Sequence, residues 1–571
     1  MPKGYFTFVL HSHMPYVRQA GRWPHGEEML HETIAETYLP LLNALYDLRA
    51  EGVPFRLTVG ITPILAEQLA DADVLDHFET FLLEEMERAE RDVERFEKEE
   101  KDSPTAESSH LLYLARFYVD WHRSVLESFR ERFKRDLIAA FRLLQDEGLI
   151  EIVTCAATHG YLPLMERDST IYGQLKTGVT SYLRHFGRLP RGIWLPECGY
   201  RPAYYKPVGG GEIIKPGLEE FLAGLNLRYT FTDTHSIERG RLSGKVIGDV
   251  IGPYGVPTKR KLLQALPEDV QAPAERTTFR PYYIQSSNVA VYGRDARTGK
   301  QVWSASEGYP GDFCYREFHR KDDRSGLQYW RVTGAGVDLG EKALYDPYNA
   351  YHRAQEHAAH FVAVVREHLG DYFRRSGRPG IIVAAYDTEL FGHWWFEGVF
   401  WMKEVLSRLS RDEDVALTTT SDYLEQYPPE ESIVLPEGSW GKGGDHSTWD
   451  NEATAWMWPL IHEAERRMEG LVARFPDAEG ERLELLKQTA RELLLLQSSD
   501  WPFLVDTGQA VAYANDRFQG HLSRFNRLAL LLEKEELDEE DRLFLQECRY
   551  LDNPFLNVDY RAFAEREGQA G

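Results

Sequence analysis

A chain of 571 residues is long enough for one large α/β unit with one or two smaller helical ones, and core burial is no obstacle at that size. Its formal charge of -25, uninterrupted by any Lys/Arg cluster, argues against a nucleic-acid partner, and no apolar run is long enough to span a membrane. Four scattered cysteines, Cys155, Cys198, Cys314 and Cys548, make neither a disulfide framework nor a CxxC metal site, and a strand begins at once with no leader, so a cytoplasmic protein with reduced thiols is expected.

Residues 5–10 form a short β-rich run that ends in His11-Ser12-His13, two histidines whose spacing points them to one face of a strand. HxH at a strand end is also how several metal-dependent hydrolases begin, which keeps a zinc reading open, although no second His/Asp cluster with ligand spacing is evident. A helix follows over 27–51, then a strand at 55–62. Residues 63–134 read as helical and densely charged, and EEMERAERDVERFEKEEKD leaves little to bury on most of its surface, which predicts a protruding helical excursion. The third strand, 151–156, runs out at His159. The fourth, within GIWLPECGY (192–200), places Glu197 after Pro196, where pairing must stop. A fifth lies at 229–233. From 235 to 300 the pattern breaks into a Gly/Pro/Lys-rich stretch containing Tyr254 and the strand-like NVAVYGRD, and segments this long inside a compact enzyme are usually functional lids or insertions. Trp303 follows it.

A helix over 347–373 leads into GIIVAAYDTELFGHWWF (380–396), in which a β-branched apolar run stops at a carboxylate. That run has the composition of a strand buried on both faces, as parallel strands are, and Asp387 arrives at its carboxyl end, where such sheets bind ligands. An aspartate capping the next helix is the plain alternative. Glu389 is a rival acid, because continued alternation would put it on the same face as Asp387. Residues 415–420 predict the last strand of the sheet. Beyond 428 the chain is almost wholly helical except for LPEGSWGKGGDHSTW (435–449), whose glycines, Trp440 and Trp449 make more sense as one wall of a cleft than as packing.

Reactive residues accumulating at successive strand ends are the sequence form of a (β/α) barrel, with a doubly wound sheet as runner-up. No GxGxxG or GxxxxGKS opens a helix after these strands and no GxSxG elbow is present, which disfavours dinucleotides, nucleoside triphosphates and esterase chemistry. Two carboxylates from different strands among tryptophans describe a glycosidase acting on a neutral sugar.

The segments HSHMPY, TCAATHGY, GIWLPECGY, AAYDTELFGHWW and EGSWGKGGDHSTW resemble, in order, the five motif regions of glycoside hydrolase family 57, and the resemblance spans nearly the whole chain. The GHWW run, the long segment before VWSASEGYPG and the late SSDWPFL are similar to the family's 1,4-α-glucan branching enzymes. The resemblance implies an α/β fold: an incomplete (β/α)7 barrel in a catalytic unit, 1–427, with the protrusion 63–134 and the insertion 235–300, and a helix-rich C-terminal domain, 428–571, that completes the cleft.

It also implies a retaining mechanism with Glu197 as nucleophile and Asp387 as general acid/base, His11, His13 and His159 as hydrogen-bonders to the sugar, and Trp303, Trp394, Trp440 and Trp449 as stacking platforms. Of the last, Trp394 or its neighbour Trp395 is expected to pack inward. Asp500 belongs to a family motif but also reads as a buried helix-start aspartate, and Tyr254 corresponds to the tip of the family's mobile loop. The expected activity is transfer of an α-1,4-glucan chain to a 6-hydroxyl, with no cofactor or metal; the sequence leaves the oligomeric state open, a monomer being favoured slightly. Two alternatives remain. An α-amylase or 4-α-glucanotransferase would use the same carboxylates, and a metal-dependent deacetylase would use His11, His13 and Asp387 but have no need of Glu197.

Overall fold

The computed structural model describes residues 2–22, 25–208, 211–251, 257–265, 276–304 and 307–566. The strand Gly4–Ser12, buried along its whole length, is the axis of the architecture. One edge pairs in parallel with Gly380–Asp387, in a register that ends at His11 opposite Asp387. The other edge pairs with Leu57–Ile61, which pairs with Ile150–Val153. Isolated parallel bridges then carry the wall through Thr154 to Ile193 and through Gly192 to Tyr229. The strand Tyr229–Thr232 pairs with Ala290–Gly293, and one bond from the Asp295 N–H to the Val383 carbonyl (3.0 Å) brings the ring back to Gly380–Asp387. Seven parallel segments therefore surround the core, with a thin seam beside Asp387. This is the incomplete barrel expected.

The segment 415–420 plays a smaller part than expected. Only Val415–Leu417 is a strand, and it pairs with Gly4–Phe6 on the edge whose upper half belongs to Leu57–Ile61, so it fills a lower corner and adds no stave. The stretch 235–300 also differs from an irregular insertion. Arg241–Ile251 and Pro257–Ala265 form an antiparallel hairpin, Tyr282–Ile284 extends the sheet, and Ala290–Gly293 is itself a barrel strand. The hairpin alternates lysine and glycine with its apolar residues and leaves Ile247 and Leu262 exposed, so it carries no core signature in sequence. Tyr254 lies outside the described residues.

Within 63–134, Ala72–Asp102 and Ala106–Glu127 form a long antiparallel helical pair, each started by a side-chain cap, Asp71 on the Val74 N–H and Thr105 on the Ser108 N–H. Its surface is charged, but an apolar stripe through Val74, Phe78, Leu82, Ala89 and Phe96 joins the main core. Residues 315–345 lie against the pair, with the Tyr329 hydroxyl donating to Asp92 (2.7 Å) and the Tyr118 hydroxyl to the Gln328 carbonyl (2.5 Å).

After 428 the chain first gives one more strand, Glu431–Val434, which pairs with Arg241–Ile251 and Tyr282–Ile284. Only from Met457 is it helical throughout its regular elements: Met457–Arg474, Gly480–Leu496, Asp500–Asp506, Val511–Leu531 and Glu539–Leu551. Their core, built on Met468, Leu493, Trp501 and Phe525, also takes in Tyr16, Ala157 and Tyr161 from the rim of the barrel. Shared burial thus fixes the helices over the strand ends. No helix among the described residues is long and apolar enough to cross a membrane.

Candidate active site

The carboxyl ends of four barrel segments and the start of one C-terminal helix converge on one set of polar groups. His11 and His13 come from the end of Gly4–Ser12, His159 from the turn after Ile150–Val153, Glu197 from the turn Pro196–Cys198, and Asp387 from the end of Gly380–Asp387. Three residues here hold left-handed backbone that side chains adopt with strain: His159 (φ 57°), Glu197 (φ 60°) and Cys198 (φ 50°). Each such residue costs on the order of 1–3 kcal/mol, and the surroundings must impose it. At Glu197 they do so through the backbone, since its carbonyl accepts the Trp440 N–H (3.0 Å) and the Gly199 N–H closes onto the Pro196 carbonyl (2.8 Å).

That contact docks the glycine-rich loop. Gly438 and Tyr200 exchange backbone hydrogen bonds of 2.8 and 3.0 Å, which lays residues 438–440 against the Glu197 turn. A Cβ on Gly438 would stand 2.7 Å from the Gly444 carbonyl oxygen, and one on Gly441 would stand 2.7 Å from the Trp449 ring. The glycines at 438 and 441 therefore let the loop fold on itself and on the protein, which is packing as much as cleft wall.

Trp440 gains its place from this docking: its Nε1–H donates to Glu197 Oε2 at 2.8 Å. It is thus a hydrogen-bond partner of the carboxylate as well as an aromatic wall. Trp449 is not a platform. It is 1% exposed and stacks on Tyr161 at 4.3 Å inside the core shared by loop and helices, because the loop closes over it. Trp394 is exposed and stacks on Phe318 (4.7 Å), whereas Trp395 packs inward, so the inward member of that pair is now known. Trp303 stands exposed at the end of the helix Ala296–Trp303.

Hydrogen bonds link the histidines to the carboxylates. His11 Nε2 and His159 Nε2 lie 3.0 Å apart, His159 Nδ1 lies 2.8 Å from the Ser499 hydroxyl, and that hydroxyl donates to Glu197 Oε1 (3.0 Å). His13 bonds Asp500 through Nε2 (3.0 Å) and Thr62 through Nδ1 (3.1 Å), and its ring stacks on His159 at 3.9 Å. Burial, with repulsion from His13, pushes His11 well below the ordinary imidazole range, and burial with repulsion from His13 and His11 does the same to His159. Burial also opposes protonation of His13, but the charge and hydrogen bond of Asp500 outweigh it and raise its pKa.

The carboxyl groups have contrasting surroundings. Burial raises Glu197, while the Trp440 and Ser499 hydrogen bonds favour its charged form. Asp387 makes no side-chain hydrogen bond among the described residues, and burial followed by the charges of Glu389 and Glu197 lifts it well above the usual carboxyl range. Glu389 does not share the strand face of Asp387. The strand stops at Asp387, a 3-10 turn follows, and the Glu389 carboxylate turns away to the Tyr38 hydroxyl and the His13 N–H (3.0 Å), with burial raising it to about 7.

His13, His159 and Asp500 each present a ligand-type atom within 4.8 Å of the others. This cluster was invisible to sequence spacing, because 487 positions separate His13 from Asp500. Its atoms are already engaged, His13 Nε2 by Asp500 and the two His159 nitrogens by His11 and Ser499, so hydrogen bonding accounts for the arrangement.

Sequence reasoning passed over three contributors. Ser499 adjoins the aspartate it singled out. Trp194 stacks on His11 at 4.9 Å and meets Trp440 edge-on at 5.0 Å, although it lies in the quoted motif GIWLPECGY. Arg294 pairs with Asp233 (2.8 Å) and stands 5.7 Å from the Trp440 ring; placing the strand-like NVAVYGRD inside an insertion hid that it is a barrel strand with Arg294 at its end.

With this geometry in view, the profile of glycosyl hydrolase family 57 matches residues 7–436, and a second profile, the C-terminal part of 1,4-alpha-glucan branching enzymes, matches residues 460–563. A 1,4-alpha-glucan branching enzyme of Thermococcus kodakarensis is 46% identical over 97% of this chain and 78% of its own length. Among solved structures, a GH57-type branching enzyme of Pyrococcus horikoshii superposes with a TM-score of 0.86 at 40% identity, covering 99% of this chain and 98% of the other. An alpha-amylase of Thermotoga maritima does so with 0.80 at 30%, covering 99% and 100%. The chain belongs to glycosyl hydrolase family 57.

Proposed function

We propose that this protein is a 1,4-α-glucan branching enzyme acting by retaining double displacement, with Glu197 as nucleophile and Asp387 as general acid/base. Glu197 attacks the anomeric carbon as Asp387 gives its proton to the departing 4-oxygen, leaving a glycosyl ester on Glu197. A glucan 6-hydroxyl then attacks the same carbon, returns its proton to Asp387 and releases Glu197, so the new linkage is α-1,6. The observation that carries the assignment is the difference between the two groups: Glu197 accepts two hydrogen bonds that favour its anion, whereas Asp387 has burial and neighbouring negative charge acting to keep it protonated.

In this reading His11, His13, His159 and Asp500 form a hydrogen-bonded floor at the cleaved bond; the ring nitrogens are taken up by one another, Ser499, Asp500 and Thr62 or, at His11 Nδ1, buried, so they do not offer the sugar the free donors that the resemblance implies. Trp440, Trp394 and Trp303 serve as aromatic surfaces for the glucan. The strand Glu431–Val434 belongs with the catalytic unit, and the helices from Met457 on form the C-terminal unit, which supplies Ser499 and Asp500 to the cleft while the loop 435–449 supplies Trp440. A cytoplasmic role in glycogen-type α-glucan synthesis is consistent with its four cysteines being free. Amylose treated with the protein is expected to lose its blue iodine colour and to become a substrate for a debranching enzyme. Loss of colour with release of short oligosaccharides and no debranching-sensitive bonds would favour the amylase reading.

A further inference from the structure

We infer that Ser499 is a positioning residue that holds Glu197 as the attacking carboxylate and sets His159 and His11 each in one neutral tautomer. The inference rests on Glu197 being the nucleophile, as proposed above. Ser499 is fully buried and precedes the helix Asp500–Asp506, so this contact with the barrel's carboxylate is made by a C-terminal element.

A hydroxyl has one proton to give. With Glu197 ionised, Ser499 donates it to Oε1 and must accept from His159, which places the His159 proton on Nδ1. His159 Nε2 is then a bare acceptor, so the contact to His11 is made by a proton on His11 Nε2. The chain ends at His11 Nδ1, which is buried and has no partner among the described residues. In this polarity that nitrogen carries only a lone pair.

Protonating Glu197 on Oε1 allows the reverse polarity. Ser499 would donate to His159 Nδ1, His159 Nε2 to His11 Nε2, and His11 would be left with a buried Nδ1–H that nothing accepts. A buried unsatisfied N–H costs more than a bare lone pair, so the chain favours the carboxylate form of Glu197. Both imidazoles are held neutral by burial, which keeps the relay from short-circuiting through a cation. The titratable groups facing Glu197 are His13, His159, Asp500 and Asp387, with Cys155, Tyr161 and Cys198 behind it. His159 Nδ1 stands 3.7 Å from Glu197 Oε1, beyond hydrogen-bond distance, whereas the Ser499 hydroxyl reaches it at 3.0 Å.

The test compares Ser499→Ala and Ser499→Thr with the wild type on amylose, following kcat, KM and the pH profile of kcat/KM, with thermal melting as a folding check. Loss of a charge-stabilising donor is expected to lower kcat about 100-fold at nearly constant KM. It should also move the acidic limb to higher pH, because an ionised carboxylate with one donor fewer is protonated more easily. Ser499→Thr keeps the hydroxyl and should recover both. Neutron diffraction of the wild type gives an independent reading, with deuterium expected on His159 Nδ1 and His11 Nε2. The inference is overturned if Ser499→Ala keeps wild-type kcat and acidic limb, if both variants fall equally, or if deuterium sits on His159 Nε2. It is overturned differently if Glu197→Gln keeps substantial turnover, since the nucleophile assignment itself then fails. A neutral Ser499→Ala alone leaves that assignment standing.

Discussion

Replacing Glu197 with glutamine preserves shape and leaves one oxygen to accept the Trp440 or Ser499 donor, but it removes the charge that attacks carbon. Turnover should fall by roughly three orders of magnitude or more while glucan binding and melting temperature stay near wild type. Asp387→Asn should fall comparably, because an amide cannot supply the proton. Glu389→Gln should be milder, since its carboxylate is committed to Tyr38 and the His13 backbone. Were Glu389→Gln the more damaging of the two, the acid/base role would move to Glu389. Azide with an α-glucosyl fluoride donor separates the roles: a Glu197→Ala variant should give the β-azide, an Asp387→Ala variant the α-azide. His13 adds a pH dependence. Its pKa is raised in the fold, so the stability from the Asp500 pair is fully present below about 6.5 and lost as pH rises through the folded value. Asp500→Asn should therefore lower Tm more near about pH 5 than near about pH 9, as scanning calorimetry would record; equal losses would contradict it. Asp387 was legible because it ends an apolar strand, and Glu197 because it follows a short apolar run cut off by Pro196. Ser499 was not, because a serine has no signature apart from what it touches.

At the scale of elements, the glycine-rich loop reads from its sequence as a cleft wall, and it does dock on the Glu197 turn, but Trp449 and the glycines at 438 and 441 serve the loop's own packing. Glycine spacing does not say whether a close approach is to ligand or to protein, and here Gly441 faces Trp449. Trp449→Ala should accordingly behave as a core truncation. A loss of about 3–5 kcal/mol is expected on unfolding, with KM for glucan changed far less than stability. An unchanged Tm with a large rise in KM would restore its role as a platform. The seam of the barrel shows a related gap. Ala290–Gly293 is only four residues long and follows a solvent-facing hairpin, so alternation gave no hint that it closes the wall beside Asp387. The charged helical pair was recognisable, and its apolar stripe was underweighted because charge on three faces masks periodicity on the fourth.

Across the whole molecule, the order of strands and helices yields the barrel, while the meeting of its rim with the late helices depends on contacts across hundreds of residues. The His13–Asp500 bond and the Ser499–Glu197 bond belong to that class. So does the cluster of His13, His159 and Asp500, whose ligand-type atoms hydrogen bonding already accounts for, and chelation by EDTA is expected to leave both turnover and Tm unchanged. A clear loss of either would revive the metal reading. The central claim is that the glycosyl group on Glu197 is passed to a sugar 6-hydroxyl in preference to water, which requires water to be kept from the ester while a chain is admitted. Proton NMR of amylose during reaction, counting α-1,6 anomeric signals against reducing ends, tests it most directly. The account predicts α-1,6 signals that grow while reducing ends stay nearly constant, and it is contradicted by reducing ends that accumulate with no α-1,6 signal.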